Sequence, residues 1–156
     1  MENSMFRLSS NCYDLAVLGL AMDTNMKATL CEQTLDNACK AYPMLRGAIF
    51  HSDRGTQYTS KLYRKAISKY GILQSMNNAG GRCHDNARCE SMWARFKEEL
   101  LYGRYDTTSM TVEQLKTLIW RYFISNWNNR RICSANGGLP PMIKRKQYYD
   151  SLQEVA

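Results

Sequence analysis

Two carboxylates stand where a folded chain could use them for chemistry. Asp53 follows Ala48-Ile49-Phe50, a short apolar run typical of a buried strand, and Gly55 then permits a sharp turn. Glu90 lies in the predicted first turns of a helix, just after a segment rich in Gly and Asn. Carboxylate oxygens are the ligands that Mg²⁺ prefers, so the two together would suit a hard metal ion. On this pattern alone, Asp53 could equally be an ordinary turn-former or helix cap.

A lysine follows Glu90 at a helical spacing. Lys97 comes seven residues later, close to two helical turns, so the two side chains are expected on one helix face. A carboxylate and an ammonium on one face suit a metal ion beside a nucleic-acid backbone. The alternative is an ordinary solvated helix face, because Glu and Lys are both good helix formers.

These side chains must be positioned by strands and helices, which the hydrophobic pattern locates. The order is strands first, followed by alternating helices and strands, which predicts an α/β sheet covered by helices. Strands are predicted over 6–13, 15–22, 48–52 and 72–76, and helices over 25–41, 59–69, 87–102 and 111–127. Residues 77–86 are predicted to form a loop, and the segment after Gly137 to wrap or trail.

The charge of the chain favours a polyanionic partner. Its 156 residues, about one domain, carry a net charge of +7, and no Asp or Glu occurs from Gln114 to Tyr149. Aromatic and amide residues interleave the cations of that stretch, an arrangement that suits contact with phosphates and bases. A solvated basic helix face remains the alternative. The cations are Lys116, Arg121, Arg130, Arg131, Lys144, Arg145 and Lys146.

Other classes of protein fit the sequence poorly. No apolar run approaches the ~18 residues of a membrane span, and the N-terminus lacks a signal peptide, so we expect no membrane association and a cytoplasmic location. The six cysteines form no C-x-x-C pair, which fits a reducing compartment. Cys83, His84 and Cys89 are close in sequence, but their spacing matches no structural zinc site.

Several motifs occur together in one order: "HSDRGTQYTS", "GGRCHDNARCESMWARFKEELL" and "NWNNRRICSANGGLPP". With them, the chain resembles the catalytic, integrase-core half of bacterial insertion-sequence transposases of the Asp-Asp-Glu type, whose core is retroviral-integrase-like. The similarity runs from about Asn11 to Tyr149. It implies an α/β, ribonuclease-H-like mixed sheet flanked by helices. It also implies metal-dependent DNA cleavage and strand transfer, with Mg²⁺ or Mn²⁺ as cofactor and two ions in the complete enzyme.

The resemblance assigns roles residue by residue. Asp53 matches the second catalytic Asp and Glu90 the catalytic Glu, both as metal ligands, and Lys97 matches a basic residue that touches the DNA of the element's end. The implied partners are double-stranded DNA, as element ends and target, and either further copies of the chain or an upstream transposase partner, in the nucleoid of a bacterial cytoplasm. Expected DNA contacts are Lys97, Arg130, Arg131, Lys144, Arg145 and Lys146.

The sequence also departs from the family pattern. The first strand and its catalytic Asp are expected upstream of residue 6 but are not found; Asp14 and Asp23 are the nearest substitutes, and neither is expected to fill the place. Asn11 stands where relatives usually carry Asp. We therefore expect a partial core over 1–143 and a basic C-terminal tail over 144–156. The alternatives are a non-catalytic DNA-binding or regulatory fragment of a transposase, and an unrelated metal nuclease of the same fold.

Overall fold

The N-terminal strands form an antiparallel hairpin. The computed structural model describes residues 5–23, 27–76, 87–102 and 105–154. Strand β1 (Met5–Ser10) pairs with β2 (Val17–Asp23), with Leu8 opposite Leu20. Both strands are shorter than predicted because a tight turn separates them. The side chain of Asn11 accepts the backbone N–H of Tyr13 at 2.7 Å, and Leu15 adopts a left-handed φ of 63°.

A second pair of strands is parallel. Strand β3 (Ile49–Ser52) pairs with β4 (Leu73–Met76), so the described residues form two two-stranded sheets. The expectation that residues 48–50 form a fully buried strand is wrong at Ile49, which is 70% exposed beside its exposed partner Leu73. Phe50 points the other way and packs against a core of helical side chains. Only one face of this sheet is therefore covered by the described residues.

Helix α1 (Ala28–Ala41) precedes β3 in the sequence, and helices α2 (Thr56–Thr59) and α3 (Lys61–Lys69) follow it. The helix predicted over 59–69 corresponds to α3, and the short helix α2 precedes it. Ser60 separates the two, because its side chain caps α3 by accepting the N–H of Tyr63 at 3.1 Å. Helices α1 and α3 bury one core between them, formed chiefly by Cys31, Leu35, Cys39, Tyr63, Ala66, Ile67 and Ile72.

Helices α4 (Ala87–Phe96) and α5 (Val112–Trp120) confirm the two long helices of the prediction. Each continues into a wider π-helical turn, Lys97–Leu101 and Arg121–Trp127 respectively. They pack on the hairpin through an aromatic cluster in which Phe6 meets Trp93 at 4.8 Å between ring centroids. The buried members are Val17, Met92, Phe96, Leu100, Ile119, Tyr122, Phe123 and Trp127. The predicted loop over 77–86 and the predicted start of α1 at 25 lie outside the described residues.

The last helix, α6 (Pro141–Gln153), returns to the hairpin turn. Its Arg145 is 6% exposed and donates from Nε to the buried carboxylate of Asp14 at 2.8 Å. The predicted boundary between a core ending at 143 and a tail over 144–156 therefore falls inside a helix that is anchored to the core. No helix in the part of the chain described here is long and apolar enough to cross a membrane.

Other side chains from the C-terminal third hold the same turn. Asn128 donates to the carbonyl of Val17 at 2.9 Å and accepts its N–H at 2.8 Å, so it imitates a neighbouring strand. Trp127 donates its indole N–H to Leu15, and Asn136 donates to the backbone of Asp14. The turn of the hairpin is thus enclosed by residues more than 110 positions away in sequence.

We predict that Arg145→Met lowers the stability of the protein by about 3 kcal/mol, because the carboxylate of Asp14 would remain buried without its cation. Urea unfolding followed by circular dichroism measures the change. Lys146→Met is the matched control, because Lys146 follows Arg145 on the same helix but is exposed. Equal unfolding midpoints for the two variants would contradict the role given to the ion pair.

Candidate catalytic site

Asp53 lies directly after β3, at the carboxyl end of the parallel pair, as predicted. Its side chain is exposed, and its Oδ1 accepts the N–H of Gly55 at 2.8 Å in a turn of the Asx type. A Cβ atom at Gly55 would lie 2.9 Å from that same oxygen. The glycine therefore lets the turn hold the carboxylate close to the backbone, with its direction set before any ligand arrives.

Glu90 lies in the first turn of α4 and is exposed. Lys97, at the point where α4 passes into its π-helical turn, is exposed as well. Both side chains thus project from one continuous helical segment towards solvent, which agrees with the expected shared face. The helix itself is fixed underneath, because Met92 and Phe96 on its other side are buried in the aromatic core.

Asp53 and Glu90 come from different parts of the fold. Asp53 follows β3 of the parallel sheet, whereas Glu90 lies on a helix that packs on the hairpin. Burial raises the pKa of the Cys89 thiol, which precedes Glu90; a hydrogen bond with Trp93 opposes that shift, and the charges of Cys12, Asp53 and Glu90 add to it.

The hairpin also approaches Asp53. Burial raises the pKa of Tyr58 above its ordinary value; Arg7 of β1 opposes that shift, and Asp53 adds to it. The same two charges act in opposite senses on Cys31, whose pKa burial also raises. A cavity of about 10 Å³, room for one water molecule, separates Leu8 of β1 from Phe50 of β3. Strands β1 and β3 are therefore neighbours across a narrow gap, without forming a ladder.

Asp14 and Asp23, the residues nearest to the place of the first catalytic Asp, are not positioned as metal ligands. Asp14 is 2% exposed and its carboxylate is held by Arg145, so it is committed to the fold. Asp23 ends β2, opposite Met5. Within residues 5–23, 27–76, 87–102 and 105–154, no group of three or more potential metal ligands is found. Cys83 and His84 lie outside the described residues.

The six residues expected to contact DNA separate into distinct environments. Lys97, Arg130 and Lys146 are exposed, and Lys144 is half-buried with its Nζ 5.5 Å from the centre of the Tyr13 ring. Arg145 is buried in its ion pair, which removes it from the accessible set. Arg131 is bonded to Glu99 and lies over the Trp127 ring at 5.0 Å.

The carboxylate of Glu99 is a structural centre that the sequence did not indicate. It accepts hydrogen bonds from Arg131 and, at 2.9 Å, from the Tyr122 hydroxyl. Burial alone would raise the pKa of Glu99, but these two bonds hold it below its ordinary value. They connect the π-helical turn after α4 to Tyr122 in the π-helical turn after α5 and to Arg131 beyond it, so they help fix the helix that carries Glu90. No spacing rule in the sequence pairs residues 99 and 131.

Comparison with known proteins shows what the chain is similar to. Residues 11–81 match the family described as Integrase core domain. Over 136 residues, the chain is 31% identical to the transposase for insertion sequence element IS629 of Shigella sonnei. The predicted resemblance to insertion-sequence transposases is confirmed. The match covers 87% of this chain but only 44% of that transposase, so the chain spans less than half of its relative's length.

Solved structures with the same fold are retroviral integrases. The catalytic core domain of BIV integrase superposes with a TM-score of 0.68 at 17% identity, covering 96% of this chain and 90% of that one. The HTLV-2 integrase catalytic core domain, solved in complex with magnesium, gives 0.56 at 14% identity, with coverage of 89% and 82%. The predicted ribonuclease-H-like, mixed α/β fold is confirmed by these matches.

We predict that Arg131→Gln lowers the free energy of unfolding by about 1 kcal/mol and therefore lowers the unfolding temperature. The reason is that Glu99 would lose a charge-assisted hydrogen bond that is only partly exposed to solvent. Arg130→Gln, one position earlier and exposed, removes the same charge and is expected to leave stability unchanged. Thermal unfolding of the two variants and of the unaltered protein measures both changes. A loss in the Arg130 variant as large as that in the Arg131 variant would refute the distinction.

Proposed function

We propose that this chain is the catalytic-core part of a DNA transposase, in which Asp53 and Glu90 serve metal-dependent cleavage and strand transfer. The observation that carries the proposal is that Asp53 lies exposed at the carboxyl end of β3 and Glu90 lies exposed in the first turn of α4, in a chain with an integrase-core fold. The chain covers 44% of its IS629 relative, so the activity is proposed for the larger protein to which such a core contributes.

The donor atoms fit a hard divalent cation. Asp53 and Glu90 supply carboxylate oxygens, the ligand type that Mg²⁺ and Mn²⁺ take in proteins. When bound, such an ion polarises a phosphoryl oxygen and lowers the pKa of a bound water, and two ions together would clamp the attacking and leaving oxygens. The protein's own contribution is positional. The Gly55 amide fixes the carboxylate of Asp53, and the buried face of α4 fixes Glu90.

A two-carboxylate site is incomplete for this chemistry. In the Asp-Asp-Glu pattern a further Asp stands on the first strand, upstream of the hairpin. In the described part of the chain, β3 pairs only with β4 and β1 only with β2, so each has an edge that no described strand occupies. The cavity between Leu8 and Phe50 has room for about one water molecule, so a strand enters there only if the two sheets move apart. We propose that an extended segment bearing an Asp, supplied by the upstream part of the transposase or by a partner, adds to such an edge and completes the site.

Double-stranded DNA is the proposed polyanion. The cations that remain accessible are Lys97, on the Glu90 helix, and Arg130, Lys144 and Lys146 near the C-terminal end. In this proposal Lys97 contacts the DNA nearest Glu90, since both lie on one helical segment, and the other cations bind more distant phosphates. Assembly of several copies on two DNA ends, in the bacterial nucleoid, is part of this proposal.

We predict that the 156-residue chain alone neither nicks nor joins a duplex carrying the element's terminal sequences with Mn²⁺. Its site lacks one of the carboxylates that would hold the cations, and those cations would neutralise charge at the transferring phosphorus. Extending the chain by the upstream segment, or by the corresponding segment of the IS629 relative, is expected to restore both steps. Asp53→Asn in the extended protein serves as the inactive control. Calorimetric titration with Mn²⁺ should show only weak binding to the short chain, in the millimolar range.

Two results bear on different parts of this proposal. Cleavage by the short chain that Asp53→Asn abolishes would support the role of Asp53 but contradict the prediction that a ligand is missing. An extended protein that folds and binds DNA but stays inactive, with tight metal binding at neither carboxylate, would instead favour the non-catalytic, regulatory alternative.

We also predict that the chain binds duplex DNA with a steep salt dependence, because counterion release accompanies each phosphate contact. Replacing Lys97, Arg130 and Lys146 by Ser is expected to lower the slope of log K against log salt by about 2 to 3. Replacing Lys27, Lys61 and Lys65, three exposed lysines elsewhere, removes the same charge and is the control. Fluorescence anisotropy measures both; equal slopes for the two triple variants would place the DNA surface elsewhere.

A further inference from the structure

An exposed group of tyrosines lies where the hairpin turn meets α6. Tyr13 is 55% exposed, and its ring centre lies 5.2 Å from that of Tyr148, which is 44% exposed. Tyr149 follows at 5.7 Å from Tyr148, and Lys144 lies over the Tyr13 ring. We call these four residues the tyrosine surface. Other exposed aromatic residues exist, such as Tyr102 and Trp120, but here three exposed rings contact one another and a lysine lies over one of them.

The tyrosine surface is held rigidly. Tyr13 belongs to the turn whose backbone is fixed by Asn11, and the next residue, Asp14, is joined to Arg145 in the middle of α6. Lys144 and Tyr148 are four residues apart on that helix and therefore share a face. Rings anchored in this way lose little conformational entropy when something stacks on them, so the surface is organised in advance for a flat partner.

We propose that the tyrosine surface binds unpaired bases of single-stranded DNA, by stacking on Tyr13 and Tyr148 while Lys144 contacts the adjoining phosphate. The proposal rests on the proposed function in DNA transfer and adds a second substrate form to it. Aromatic rings beside a cation are the means by which proteins hold single strands without sequence preference. The absence of any Asp or Glu between Gln114 and Tyr149 makes the approach to this surface favourable for a polyanion.

The test compares the affinity of the full chain for labelled oligo-dT of about 20 nucleotides with its affinity for a blunt duplex, using fluorescence anisotropy. In the variant Tyr13→Ser with Tyr148→Ser, we expect about a tenfold loss of single-strand affinity and a change within about twofold for the duplex. The matched control, Tyr13→Phe with Tyr148→Phe, keeps the rings and should keep the affinity. Photocrosslinking of the unaltered protein to 5-iododeoxyuridine in the oligonucleotide should label Tyr13 or Tyr148.

Each possible result supports or overturns the inference. Unchanged single-strand binding in the Ser variant would overturn it, and so would crosslinks only at other residues. The crosslinking uses the unaltered protein, so it tests the inference even if the Ser variant does not fold. Duplex binding without oligo-dT binding by the unaltered chain would overturn it as well, while leaving the proposed function intact. Binding to neither DNA form would refute both. Concentration-dependent association in the ultracentrifuge that the Ser variant abolishes would show that the surface joins two copies of the chain instead.

Discussion

The buried ion pair between Asp14 and Arg145 is the interaction on which the arrangement of the whole chain depends. Two charges withdrawn from water are tolerated when each has further partners. Here Asp14 also accepts the N–H of Ala16 at 2.9 Å, and the guanidinium of Arg145 lies over the Tyr42 ring. The pair fixes the hairpin turn against α6. Since Phe6 of that hairpin packs against Trp93, the position of the Glu90 helix follows from it.

A second constraint sets the spacing of the two carboxylates, because each belongs to a different core. Helix α1 packs against both the hairpin and α3, and it approaches β2 closely at Gly19. A Cβ atom there would lie 2.3 Å from the backbone oxygen of Thr34, so only glycine permits the contact. Asn37 then bonds the carbonyl of Leu20 at 2.9 Å. The relation between Asp53 and Glu90 is thus determined by how α1 lies between the two sheets.

The sequence predicted the local structure of the chain better than its long-range contacts. Helix α5 was predictable because its apolar periodicity and the Thr111–Gln114 capping box are local signals. Asp53 and Glu90 were found through motif resemblance. Arg145, by contrast, lies in a run of cations that has the composition of a solvated tail, and its partner is 131 residues away. The Glu99–Arg131 pair was missed for the same reason. Charge patterns show which cations exist, whereas tertiary structure decides which are accessible.

The ion pairs leave the two candidate ligands open. Arg and Lys outnumber Asp and Glu by 21 to 14, so cations to neutralise a carboxylate are abundant. Asp14, Asp36, Glu98, Glu99 and Glu113 all have such a partner. Among the described residues Asp53 and Glu90 form no ion pair, and neither do Glu32 and Asp106. A missing cation is therefore a condition for a metal site and not a sign of one. Asp53 and Glu90 are distinguished by their positions, at the end of β3 and in the first turn of α4, where exposed carboxylates are fixed by the fold beneath them.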